Sequence, residues 1–61
     1  MDAKEVLKIL KLNGFIKKSQ KGSHIKLVKD NKVVIVPDHG SKDIPLGTLK
    51  SMERQSGIKF C

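Results

Sequence analysis

Ser23-His24-Ile25-Lys26-Leu27-Val28-Lys29-Asp30-Asn31-Lys32-Val33-Val34-Ile35-Val36-Pro37 is the stretch whose reading decides the fold. Aliphatic and β-branched residues crowd both halves. Asp30-Asn31 between them is a pair that tolerates positive φ. The segment therefore reads as a hairpin, with strands over 23–29 and 32–36. Pro37 has no N–H to give the ladder and stops it. If Asp30-Asn31 is the whole loop, Lys29 faces Lys32, Val28 faces Val33 and Leu27 faces Val34. Lys26 then faces Ile35, and Ile25 faces Val36. Directly opposed residues share a sheet face. One face holds Ile25, Leu27, Val34 and Val36 and needs cover. The other holds His24, Lys26, Val28, Val33 and Ile35, a mixed set suited to an open surface. A loop one residue longer would change the parity and destroy this assignment.

The flanking segments supply the cover. Residues 2–13 read as a helix, with Ala3, Val6, Leu7 and Leu10 on one stripe and Lys4, Lys8 and Lys11 off it. Asp2 caps its amides, and Glu5 completes a capping-box pattern. Asn13-Gly14 ends it, and Phe15 folds back on the core. Residues 15–20 are a short polar strand, closed by a tight turn at Lys21-Gly22. After the loop Asp38-His39-Gly40-Ser41-Lys42-Asp43, a second helix starts within Ile44-Pro45-Leu46-Gly47, with Pro45 in its first turn. Leu46, Leu49 and Met52 form its apolar edge, Gly57 caps it, and Ile58 is placed for the contact that follows such a cap. The tail from Ile58 to Cys61 either packs or frays. The expected architecture is α+β, in the order α-β-β-β-α. A three-stranded antiparallel sheet carries both helices on one face.

A chain of 61 residues makes one domain, 1–61, with a small core. Cys61 is the only cysteine, so an intrachain disulfide is excluded and a reduced thiol is expected. No run approaches the ~20 apolar residues of a membrane span, and the polar start is unlike a signal peptide; a cytoplasmic protein with no membrane association is expected. The six acids are scattered, which disfavours a metal site, and no other cofactor is indicated.

Thirteen Lys+Arg against six Asp+Glu give a net charge of +7. Such an excess suits a polyanion. Twelve of the thirteen are lysines, which meet phosphates as mobile point charges rather than as guanine-reading forks. Phe15 and Phe60 are the only aromatics, too few for a base-stacking platform. Backbone-directed contact with weak sequence preference follows.

Lys21-Gly22-Ser23-His24-Ile25-Lys26 is where such contact meets chemistry. An imidazole exchanges protons near neutral pH. RNA brings its own nucleophile, the 2′-hydroxyl. Its cleavage needs a base, positive charge at the phosphate, and an acid for the leaving oxygen. His24 suits either proton role, Lys21 and Lys26 supply charge, and the Gly22-Ser23 amides with the Ser23 hydroxyl suit a phosphate oxygen. Lys17, Lys18 and Lys42 suit further backbone contacts, though a solvated charge is the simpler reading of each, and Gly47-Thr48 offers helix-start amides, though ordinary capping is the simpler reading there. His39 sits among turn formers, where a structural role is the simpler reading; solvent is an equal candidate for the second proton. The ordinary reading of His24 is an exposed strand histidine.

Across nearly its whole length the chain resembles the HicA (YcfA-type) family of small bacterial and archaeal toxins. The matching pieces are Asn13-Gly14-Phe15, Lys21-Gly22-Ser23-His24, Val36-Pro37-Asp38-His39, Ser41-Lys42, Gly47-Thr48-Leu49 and Ser56-Gly57-Ile58. Each is weak alone, but together they come in the family's order and spacing. The resemblance implies a double-stranded-RNA-binding-domain-like fold. It implies a type II toxin–antitoxin toxin of the stress response, a ribosome-independent mRNA endoribonuclease whose catalytic histidine maps onto His24. It also implies neutralisation by a HicB-like antitoxin. The mixed face then gains a partner: an antitoxin over His24, Lys26, Val28, Val33 and Ile35 would inhibit and stabilise at once. The lysines ahead of the motif stand where many relatives carry arginine, and the tail is short. Two other readings remain, a non-catalytic RNA-binding module and a basic domain for an acidic protein. A monomer is the expectation for the free chain.

Overall fold

The computed structural model describes residues 1–40 and 42–60. Ser41, part of one family-like motif, and the thiol of Cys61 lie outside the described residues. The order is α1 (Ala3–Leu12), β1 (Ile16–Lys21), β2 (His24–Lys29), β3 (Lys32–Pro37) and α2 (Leu46–Ser56). The strands form one antiparallel sheet in the order β1-β2-β3. This is the α-β-β-β-α arrangement expected from the hairpin outward.

Capping chemistry sets the ends of α1. The Asp2 carboxylate accepts from the Glu5 N–H at 3.0 Å. The Asp2 backbone bridges to Asp43, and Ile44 N–H donates to the Met1 carbonyl at 2.8 Å, tying the chain start to the approach to α2. At the other end Gly14 takes φ 93. Phe15 N–H donates to the Leu10 carbonyl and Gly14 N–H to that of Lys11, a Schellman closure. Phe15 and Leu10 are both buried, which is the apolar contact such a closure favours.

The β2–β3 register is the one the two-residue loop demands: Ile25 faces Val36, Lys26 faces Ile35, Leu27 faces Val34, Val28 faces Val33, and Lys29 faces Lys32. Asp30 adopts φ 52. Ile25, Leu27, Val34 and Val36 are buried against Ala3, Val6 and Leu10 of α1 and Leu49 and Met52 of α2. Both helices therefore cover one face of the sheet.

Four details differ from the sequence reading. The first hairpin turns at Gly22-Ser23 rather than Lys21-Gly22, so β1 runs through Lys21 and β2 begins at His24. Gly22 takes φ 60 while Ser23 does not, the pattern of a type II′ turn. Pro37 is itself the last residue of β3, paired with His24; it is tolerated because β3 is an edge strand. Pro45 is the N-cap of α2, one position outside the helix, with its carbonyl accepting from Leu49 N–H.

The fourth is Leu46, which is 57% exposed rather than part of the apolar edge. At ~100° per residue, each step of three falls back by ~60°, so Leu46 lies ~120° from Met52. Ser56 takes its place in the core, and its hydroxyl donates to the Met52 carbonyl at 2.7 Å and accepts from Ile58 N–H at 3.1 Å. A buried hydroxyl so bonded carries no desolvation penalty. The tail packs rather than frays: Phe60 is buried in the core, and its N–H donates to the Glu53 carboxylate at 2.8 Å.

Candidate functional site

The face turned away from the helices is built in three cross-strand rows. Lys21, His24 and Pro37 form the first, Ser19, Lys26 and Ile35 the second, and Ile16, Val28 and Val33 the third. The face thus grades from cationic at the Gly22-Ser23 end to apolar at the Asp30-Asn31 end. None of these nine residues is an acid.

A bulge decides which β1 residues belong to this face. Lys17 faces Leu27 but Ser19 faces Lys26, so one extra residue, Lys18, interrupts the alternation. Ile16 therefore joins the open face and Lys17 leaves it. The hydrogen bond from Lys17 Nζ to Gln20 Oε1, at 2.8 Å, joins two side chains that the register sets on the side of Leu27 and Ile25.

His24 is exposed, directly across from Lys21. Directly opposed residues have Cβ atoms ~5 Å apart, and Lys26 follows two residues on along the same face, ~7 Å away. A phosphate in contact with the imidazole lies within reach of both lysine side chains. Gly22 and Ser23 form the turn beside it. The Ser23 carbonyl accepts from Asp38 N–H at 2.6 Å, so this turn is stitched to the exit of β3.

The other sequence-selected residues scatter around this centre. Lys17 is on the opposite face and Lys18 at the bulge. Lys42 is exposed in the loop before α2 and, with His39, lines a separate depression that shares Pro37 with the first row. Val28, Val33 and Ile35 stand on the open face as the register required, with Val33 45% and Ile35 41% exposed. Among the described residues the tail leaves this face uncovered, because Phe60 lies in the core and Ile58 packs against it on the helix side. Sequence reasoning missed Ser19 and Ile16, the latter 67% exposed beside Val28. No signal pointed to them, since β1 has no apolar alternation and its bulge follows from the pairing.

Among the described residues, no group of three or more His, Cys, Asp and Glu side chains is arranged to hold a metal ion. Among the same residues, no helix is long and apolar enough to cross a membrane.

Comparison with known proteins adds two findings. The family model described as the HicA toxin of bacterial toxin–antitoxin systems matches residues 3–58. A curated protein of Pseudomonas fluorescens (strain Pf0-1), "Probable mRNA interferase HicA", is 37% identical over 59 residues. The alignment covers 97% of this chain and 98% of that protein.

Proposed function

The chain belongs to the HicA toxin family, and on that premise we propose that it is the mRNA-cleaving toxin of a type II toxin–antitoxin pair, with His24 as the proton-transfer residue. The observation that carries the reading is the first row of the open face. An exposed imidazole stands opposite one lysine and beside another, on a surface whose three rows contain no carboxylate. The name of the Pseudomonas relative supports the same activity.

The mechanism follows from what RNA brings. The 2′-oxygen attacks the adjacent phosphorus, a new P–O bond forms, and the bond to the 5′-oxygen breaks. The 2′-hydroxyl proton must leave and the 5′-oxygen must gain one. His24 carries one of these transfers and solvent the other. Lys21 and Lys26 stabilise the charge that gathers on the phosphoryl oxygens. The Gly22-Ser23 amides and the Ser23 hydroxyl bind one such oxygen. Lys42 holds the strand beyond the reacting phosphate, and Lys17 and Lys18 contribute long-range attraction. No ribosome or metal ion enters these steps.

A HicB-like antitoxin is the partner. The patch of His24, Lys26, Val28, Val33 and Ile35 suits it, because apolar area there is exposed and adjoins the histidine. Covering the apolar rows also buries the imidazole, so one contact silences the toxin.

The test is induction of the parent and of His24→Ala in a bacterial host, with growth and bulk mRNA followed, and cleavage by the purified proteins assayed in EDTA. Arrest and cleavage by the parent alone are expected. Equal cleavage by His24→Ala would overturn the role of the histidine. Salt-sensitive RNA binding with no cleavage by the parent would leave a non-catalytic RNA-binding module.

A further inference from the structure

The second histidine has no part in the steps above. His39 lies two residues beyond Pro37, the residue opposite His24. With Pro37, Lys42, Asp43, Ile44 and Pro45 it lines an open depression of about 450 Å³. Pro37 is thus a shared wall, belonging both to the row of His24 and to this depression.

We propose that this depression is an RNA subsite holding the nucleotide next to the scissile phosphate. The inference rests on the reading of His24 as the reacting residue. Three observations carry it.

The first is continuity. Two residues of extended chain span at most ~7 Å, so the rim at His39 begins a short step from the reacting end of the sheet. A single RNA strand crossing His24 can therefore run on into the depression.

The second is chemistry. Pro37 and Pro45 offer apolar surface for a sugar or base, with the buried Ile44 beneath them. His39 and Lys42, both exposed, offer hydrogen-bond donors and positive charge for its phosphate. Among the described residues of the lining, Asp43 is the one acid. The N-terminal ammonium stands 3.4 Å from its carboxylate and offsets its charge. The volume falls in the range of small-ligand sites.

The third is construction. Hydrogen bonds hold both walls. Asp38 N–H donates to the Ser23 carbonyl at 2.6 Å and Gly40 N–H to the Asp38 carboxylate at 3.1 Å. On the far side Ile44 N–H donates to the Met1 carbonyl at 2.8 Å. A preformed cleft grips its ligand with little ordering cost. Contacts remote from the reacting bond are also what an enzyme uses to orient it.

The test uses short single-stranded RNA and the His24→Ala protein, so that the RNA survives. Affinity is measured with and without His39→Ala plus Lys42→Ala. These side chains are exposed, and circular dichroism checks that the fold is kept. The double change is expected to weaken binding about tenfold, as for loss of two charge-assisted contacts. Lys50→Ala, whose residue lines a different surface on α2, should change it by less than about twofold. In the cleaving parent the double change should raise KM more than it lowers kcat. Adenosine 5′-monophosphate, titrated alone, should shift the amide resonances of His39, Lys42 and Ile44. Binding that responds to the double change no more than to Lys50→Ala would overturn the subsite, even if cleavage needs His24. If instead the parent cleaves nothing but binding depends on His39 and Lys42, the subsite stands as a nucleotide site and the nuclease reading falls.

Discussion

Lys21 and His24 face each other across the β1–β2 hairpin, one on each side of the Gly22-Ser23 turn. The pairing holds a cationic side chain beside the imidazole on the face turned away from the helices. The hairpin alone therefore assembles the core of the site.

Lys21→Ala is expected to weaken RNA binding and to lower the slope of log affinity against log salt by about one, the signature of one lost phosphate contact. Lys17→Ala, on the other face of the same strand, should move the slope less. Titration of both variants at several salt concentrations checks this. Equal slopes for the two would sever the open face from RNA binding.

Deletion of Lys18 tests the bulge. Without the extra residue the alternation from Lys21 runs unbroken, and Lys17 and Ile16 keep their places opposite Leu27 and Val28. RNA affinity should survive, because Lys21 and His24 keep their pairing, and so should antitoxin affinity, because Ile16 stays on the open face. Pull-down with the antitoxin beside an RNA titration checks both; a loss of either in a folded variant would show that the bulge itself shapes this face.

Val33→Asp and Ile35→Asp place carboxylates in the apolar rows. Both positions are exposed, so stability should change by only ~0.5 kcal/mol. Co-purification with the antitoxin should drop sharply. An undiminished complex would move the antitoxin to another surface.

Asp30 sits at φ 52, in the left-handed region that costs most side chains ~1–2 kcal/mol. Asp30→Val should destabilise by about that amount, since a β-branched side chain tolerates the region poorly. Asp30→Gly should be close to neutral. Urea denaturation of the pair reads the difference; equal midpoints would show that the turn relaxes.

Phe60 tests the packed tail. Replacing a buried phenylalanine by alanine costs ~3–5 kcal/mol, a large share of the stability of a domain this small. Phe60→Ala should be largely unfolded at 37 °C by circular dichroism. A variant as stable as the parent would mean the tail adds little to the core.

Much of this arrangement was legible in the residues themselves. Asp30-Asn31 implied a two-residue loop, and the loop implied the β2–β3 register and both faces, including His24 with Lys26, Val28, Val33 and Ile35. The end of α1 at Asn13-Gly14 was equally local, because a glycine free to take positive φ closes a helix whatever surrounds it. Turn chemistry and periodicity act over a few residues, so they survive in the linear chain. Tertiary structure decided the rest. The bulge at Lys18 arises only when polar β1 pairs with β2, and nothing in the strand's own pattern records it. Leu46 lies outside the core because Ser56 joins Leu49 and Met52 on the buried stripe of α2, and Phe60 lies inside it because the tail folds back onto Glu53. The loop of His39 and Lys42 comes beside His24 only because Pro37 pairs across the sheet and Asp38 bonds back to Ser23. Those contacts join residues more than a dozen positions apart, and only the folded chain brings them together.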